Sequence, residues 1–202
     1  MANKIITISR EFGSGGRFIG EEVAKKLGMK YYDKDIISQI AEKLGFSKEY
    51  ISQNAELSPK KGLFAYALTG RDTTGKSVED MVYEAQRKVI LEIAENDSCV
   101  IIGRNADYIL KDRTDVINIF IHADMPEKVK RICRLYNVTE TEAVAMTADI
   151  DKRRMTNYRY YTDQKWGMAR NYTLTLNSSQ LGYDMCEKII ICLLYTSDAA
   201  DE

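Results

Sequence analysis

The sequence predicts an α/β fold in which a parallel sheet is covered by helices on both faces. Three observations carry this reading. Short apolar runs rich in Ile and Val alternate with longer helical patterns from one end of the chain to the other. Those runs are apolar at successive positions, as strands buried on both faces are. A chain of 202 residues with 45% hydrophobic content is the size of one ordinary domain.

The elements follow in order. Ile5 to Ser9 reads as the first strand, and Gly13-Ser14-Gly15-Gly16 then opens a helix with Ile19, Val23 and Leu27 on one face and Gly28 as its stop. Lys30 to Asp33 is a short second strand, and Ile36 to Leu44 a helix. Phe46 to Lys76 is polar and mixed, and with the preceding helix it makes an inserted lobe over about residues 34–76. Ser77 and Asp80 form a capping box for a long helix whose apolar face includes Val82, Val89, Ile90 and Ile93. Cys99 to Gly103 and Val116 to His122 are buried strands. Asp124-Met125-Pro126 starts a further helix, proline being tolerated in a first turn. Thr139 and Glu142 cap another, expected to reach about Arg154. Tyr172 to Leu176 is the last strand and Gln180 to Leu194 the last helix. The domain thus spans 1–194, and 195–202 is a polar tail expected to be disordered.

Composition excludes several classes. A net charge of −1 gives no whole-chain basic field for nucleic acid. No apolar run approaches the roughly 20 residues that span a bilayer, and MANKIITIS has no secretory signal pattern. Cys99, Cys133, Cys186 and Cys192 show no C-x-x-C spacing and read as free, buried thiols of a cytoplasmic protein. One histidine, His122, argues against histidine metal sites and Ser-His-Asp catalysis and reads as a core-edge residue.

The stretch ISREFGSGGRFIG carries the chemistry. A phosphate needs several converging backbone N–H donors, and glycines between a strand and a helix N-terminus supply them. Gly13, Ser14, Gly15 and Gly16 meet that need. The pattern G-x-x-x-x-G-K-[ST] is met only in part. With Gly15 as second glycine, Arg10 takes the first glycine's place and Gly16 the lysine's; one residue on, Arg17 takes the lysine's place and Phe18 the hydroxyl's. Arg17 can deliver charge to a phosphate through its two-pronged fork. A dinucleotide fingerprint with Asp33 on the ribose, and a bare glycine turn, stay open on this stretch alone.

Other constellations point the same way. Arg104 follows the strand CVIIG and stands at the carboxyl edge of the sheet, where open α/β folds bind ligands. Residues 151–170 hold six basic residues against two acids, interleaved with Tyr158, Tyr160, Tyr161 and Trp166, and read as a basic lid over phosphates, with a solvated helix end above packed aromatics and single-stranded nucleic acid stacking on the tyrosines the open alternatives. Lys128, Lys130, Arg131 and Arg134 lie on one helix that reads as a solvated face, with Arg131 and Arg134 the pair open to a phosphate role.

In combination, SREFGSGGRFIGEEVAKKLG, YYDKDII, VIIGRNADYIL, the lid and Asn177-Ser178-Ser179 resemble the cytidylate kinase-like family, a branch of the P-loop nucleoside monophosphate kinases, over most of the chain. The resemblance implies a three-layer P-loop kinase fold with a monophosphate-binding lobe and a lid. It implies transfer of the γ-phosphoryl of ATP, with Mg²⁺, to CMP, dCMP or a related pyrimidine monophosphate, and small-molecule nucleotides as the partners. Gly13, Ser14, Gly15, Gly16 and Arg17 would cradle the ATP phosphates; Asp33, Lys34 and Arg104 would face the acceptor; Arg17, Arg153, Arg154 and Arg159 would act on the transferring group. The metal ligands and the oligomeric state do not follow from it. The lid departs from the family's Arg/Asp pattern at Met155, Thr156, Tyr158 and Tyr160, and Met168 follows Trp166-Gly167 where an acid is expected. A nucleotide-binding sensor without turnover and a P-loop kinase for another small metabolite are the alternatives.

Overall fold

A computed structural model of the chain describes residues 4–45 and 78–200. Five strands, β1 (Ile5–Arg10), β2 (Lys30–Tyr32), β3 (Cys99–Ile102), β4 (Val116–His122) and β5 (Leu174–Asn177), form a parallel sheet in the order β2-β3-β1-β4-β5. The central strand β1 pairs with β3 on one side, Ile5 opposite Cys99, and with β4 on the other, Ile5 opposite Val116. Around the sheet lie α1 (Gly16–Leu27), α2 (Lys34–Leu44), α3 (Val78–Asn96), α4 (Ala106–Ile109), α5 (Met125–Tyr136), α6 (Glu140–Thr162) and α7 (Ser178–Ala200).

The period-2 alternation of strand side chains divides the core into two layers. Ile5, Cys99 and Ile101 face Ile36 and Ile40 of α2 and Val82, Val89, Ile90 and Ile93 of α3. Ile6, Ile8, Val100, Ile102, Ile119 and Ile121 face Ile19 and Val23 of α1 and Cys186, Ile190 and Leu194 of α7. α1 sits close on its layer: a Cβ at Gly20 would lie 2.5 Å from Ile102 Cδ1. Gly28 ends α1 at φ 65° and returns its N–H to Lys25 and Ala24, as the stop signal predicts. The Thr139–Glu142 capping box is formed at α6. Pro126 stands in the first turn of α5.

The differences have local causes. α6 continues to Thr162, eight residues past the expected end near Arg154, because Asn157, Tyr158 and Thr162 are buried against the domain. The expected lid is therefore helix over its first part. α7 starts two residues early, at Ser178, kinks at Gly182 (φ 72°, ψ 166°), and runs on to Ala200, so residues 195–200 of the expected tail are helical. β5 begins at Leu174 rather than Tyr172. The thiols are free, but Cys192 is exposed and Cys133 half-buried, which corrects the reading of four buried cysteines. Ser77, and most of the expected insert, fall outside the described residues, while α2 packs on α3.

Candidate functional site

All five strands point their carboxyl ends at one edge, and β1 leads from that edge into the glycine loop. Gly13 (φ 81°) and Gly15 (φ 82°) take the left-handed turns that other residues resist. Gly15 is the N-cap of α1 and carries no side chain to cap it; the Gly16 N–H donates to Ser14 Oγ at 3.4 Å, and the N–H groups that follow in the first turn can face an anion. The Ser14 hydroxyl is buried and donates to the Glu11 carbonyl at 2.9 Å. Ser178 Oγ donates to the Ser14 carbonyl at 2.7 Å, and the β4 end is within reach at the His122 carbonyl, 3.2 Å.

On the β2/β3 side of the loop lies a cluster of charge. Asp33, 3% exposed, follows β2 and holds Arg17 Nη2 at 2.5 Å; Arg104 Nη2 is 3.9 Å from its other oxygen. Arg104 is itself buried, at 4% exposure, whereas half of the Arg17 side chain is open to solvent. Gly103, Arg104 and Asn105 take left-handed angles in succession, at φ 64°, 63° and 54°. Backbone of that kind persists only where its surroundings hold it. Here buried Gln86 of α3 donates to the Arg104 carbonyl at 2.7 Å, and Asn105 donates to Asn157 of α6 at 3.2 Å. Two residues on, the Tyr158 hydroxyl donates to Asp107 at 2.7 Å. Burial pushes the Asp107 carboxyl up to about 6, against the pull of that hydrogen bond. Burial, and secondarily Asp33, raises the Tyr31 hydroxyl, while Arg17 and Arg10 pull it down.

On the β4/β5 side a cavity of about 310 Å³ opens beside the loop, large enough for a small ligand. Gly13, Ser14, Glu127, Arg131, Arg134 and Tyr183 are among its lining residues. The Tyr183 ring covers the loop so closely that a Cβ at Gly15 would lie 2.6 Å from it. Arg131 donates to the Tyr183 hydroxyl at 2.5 Å and lies 5.0 Å over its ring. The Asn177-Ser178-Ser179 turn is fastened to the start of α5: Asn177 and Gln180 donate to Asp124, at 3.0 and 2.7 Å, and hold its carboxyl below the usual range.

Beneath the loop is an ionic knot. Lys128 Nζ, 6% exposed, lies 2.9 Å from Glu11 and 3.5 Å from Asp151. Asp151 accepts the Phe12 N–H at 2.7 Å, and burial raises its carboxyl. Arg154 donates to the Arg10 carbonyl at 3.1 Å and stands 3.6 Å from Asp151. Lys128 thus corrects the solvated-face reading of its helix; its spacing of four from buried Ile132 was the available signal.

The expected residues divide accordingly. Gly13 to Gly16 build the loop; Arg17, Asp33 and Arg104 meet on its β2/β3 side; Arg154 reaches its underside. Arg153 lies 3.9 Å from Asp149, and Arg159 is exposed on α6. Lys34 opens α2, with its side chain outside the description. Sequence reasoning missed Gln86, Asp107 and Tyr183, and took Tyr158 only as one of the aromatics interleaved in the lid. Among the described residues, no group of three or more His, Cys, Asp or Glu stands together to hold a metal, and no helix is long and apolar enough to cross a membrane.

Comparison with known proteins places this geometry. The model of the cytidylate kinase-like family matches residues 5–180. The chain is 25% identical over 191 residues to a cytidylate kinase of Archaeoglobus fulgidus, covering 92% of each protein. Among solved structures, an uncharacterized protein from Eubacterium ventriosum superposes with a TM-score of 0.73 at 25% identity, over 95% of this chain and 98% of that one. A shikimate kinase from Bacteroides thetaiotaomicron superposes with a TM-score of 0.55 at 15% identity, over 95% and 98%. The fold is that of the P-loop kinases.

Proposed function

Because the chain belongs to the cytidylate kinase-like family, we propose that it moves the γ-phosphoryl group of MgATP to a pyrimidine nucleoside monophosphate, CMP or dCMP first. The observation that carries this reading is the division of the sheet edge by β1. The glycine loop lies between a nucleoside-sized cavity at the β4/β5 ends and an arginine–aspartate cluster at the β2/β3 ends. A donor and an acceptor placed in those two spaces would meet over the loop.

In this reading Gly13 to Gly16 and the first turn of α1 hold the donor phosphates, and Arg131, Arg134 and Tyr183 border the donor nucleoside. Arg104 and Arg17 take the acceptor phosphate, with Asp33 orienting both guanidinium groups. Lys34 stands at the start of the acceptor lobe, and Arg153, Arg154 and Arg159 supply the positive lid. An oxygen of the acceptor phosphate attacks Pγ, the bond from Pγ to the β–γ bridging oxygen breaks, and that electron pair leaves with ADP. The acceptor oxygen is already anionic, so the protein's task is positioning and charge stabilisation. Mg²⁺ would come as part of the MgATP substrate, where it would offset the charge of the donor phosphates. The free thiols fit a cytoplasmic setting.

The test is ADP release from MgATP by the full chain against CMP, dCMP, UMP, AMP and GMP. Turnover highest with CMP or dCMP, and lost in folded Arg104→Ala, supports the reading. A folded protein that binds ATP and turns over none of the five refutes it. The loop, with neither lysine nor Ser/Thr at the usual places, then favours a nucleotide sensor or a kinase for another small metabolite.

A further inference from the structure

Helix α6 is fastened to both halves of the site by neighbouring turns of one face. Its earlier anchors meet the glycine loop: Asp151 accepts the Phe12 N–H at 2.7 Å, and Arg154 donates to the Arg10 carbonyl at 3.1 Å. One turn on, the helix meets the stretch that carries Arg104. Asn157 accepts from Asn105 at 3.2 Å, and the Tyr158 hydroxyl donates to Asp107 at 2.7 Å. Tyr161 then stacks on Tyr83 of α3, with ring centroids 3.8 Å apart and planes 5° from parallel. Asp151, Arg154, Tyr158 and Tyr161 follow one another at the i+3 and i+4 steps of a single helix face. From Asp151 to Tyr158 the helix rises roughly 10 Å. Asn157 and Tyr158 are 6% and 2% exposed, so each acts only through what it holds.

The Arg104 turn is what makes this fastening matter. Gly103, Arg104 and Asn105 all take left-handed angles, and for Arg104 that conformation is costly. Three elements hold the turn in place. The Gly103 N–H donates to the Ile8 carbonyl of β1 at 2.9 Å, Gln86 of α3 donates to the Arg104 carbonyl at 2.7 Å, and Asn157 of α6 accepts from the Asn105 side chain. With the α6 contacts gone, a strained turn can relax, and the arginine moves with it. A shift of roughly 1 Å at a substrate-positioning group is enough to be felt.

We propose that α6 is a brace that sets where Arg104 stands relative to the glycine loop, with Asn157 and Tyr158 as the positioning residues. The inference rests on the reading of Arg104 as the holder of the acceptor phosphate and of the loop as the donor-phosphate site. The helical part of the lid is then a fixed spacer between the two substrates.

The test asks whether the two substrates respond separately. Calorimetry on the full chain measures the binding of ATP, and of CMP, dCMP and UMP, each alone. The proteins are wild type, Asn157→Leu, Tyr158→Phe and Asp151→Ala, with folding followed by circular dichroism. Asn157→Leu and Tyr158→Phe should weaken the best-bound monophosphate roughly 5- to 30-fold, the scale of one lost buried hydrogen bond, and leave ATP within twofold of wild type. Asp151→Ala should do the reverse, weakening ATP and sparing the monophosphate. A loss of packing alone does not sort the two ligands in this crossed manner. Where Asp151→Ala or Asn157→Leu does not fold, the conservative Tyr158→Phe decides. Folded Tyr158→Phe that binds the monophosphate within twofold of wild type, or that weakens ATP equally, overturns the proposal and leaves the kinase reading standing. Wild type that binds none of the three monophosphates overturns the acceptor reading and the brace with it.

Discussion

Replacing Asp107 by Asn should make the protein more stable at pH 8 and leave it unchanged at pH 4. Asp107 is 4% exposed and accepts the Tyr158 hydroxyl at 2.7 Å. Its carboxyl moves from 3.8 in the unfolded chain to about 6 in the folded one, chiefly because burial disfavours the charge. The native state therefore binds the proton more tightly than the unfolded state. The stability tied to this group is complete below about pH 4, falls as pH rises toward 6, and is lost above that. The displacement corresponds to about 3 kcal/mol. Asn is neutral at every pH and its side-chain oxygen can still accept from Tyr158. In a domain of this size, 3 kcal/mol is roughly 6–12 °C in Tm. Urea melts of wild type and Asp107→Asn at pH 4 and pH 8 measure the quantity directly, and the difference between the proteins cancels the other titrating groups. A difference that does not change between the two pH values would refute the reasoning.

Other substitutions probe the remaining contacts. Tyr158→Phe removes the hydroxyl that Asp107 accepts and should cost about 1–3 kcal/mol, more above pH 6 than below it, read from the same melts. Gly20→Ala drives a methyl into Ile102 and Ile8 side-chain ends and should cost about 1–3 kcal/mol in chemical denaturation. Gly15→Ala meets the Tyr183 ring as well as a φ of 82°, so it should abolish ATP-dependent thermal stabilisation; adding Tyr183→Ala should remove the collision and leave about 1–2 kcal/mol of backbone strain. Gly182→Ala has open space around it but an angle pair near-exclusive to glycine, and should lose about 1–3 kcal/mol by differential scanning calorimetry.

How far these features are legible in sequence depends on the range of the interaction that makes them. β4 appears at its expected bounds because a β-branched run ends at once in Ala123-Asp124. Gly28 and the Thr139–Glu142 box are local chemistry, and both stand where the sequence puts them. The end of α6 is different. Its arginines and tyrosines give no continuous apolar stripe, and the helix is kept by single anchors: Tyr158 on Asp107, Asn157 on Asn105. The glycines, Arg17 and Arg104 are readable as a site from their spacing, but the partnership of Arg17 with Asp33 depends on β2 lying next to β3. Tyr183 is invisible in the same way, since its ring reaches the loop only through the kink at Gly182.

The strand order has a consequence for how this protein can change. Much of the β2/β3 flank of the loop, including Asp33 and Arg104, lies in one continuous stretch of the sequence, to which Arg17 of α1 is added from before it and Asn157 and Tyr158 of α6 from after it. The cavity's walls on the opposite flank come from a later stretch, from Ala123 to Tyr183. β1 and the glycines are the joint between them. Recombination that exchanges the first stretch for that of a relative replaces much of that flank at once, with its strand pairing to β1 intact and the other wall untouched. A new specificity can thus be acquired as a cassette, without being assembled one substitution at a time.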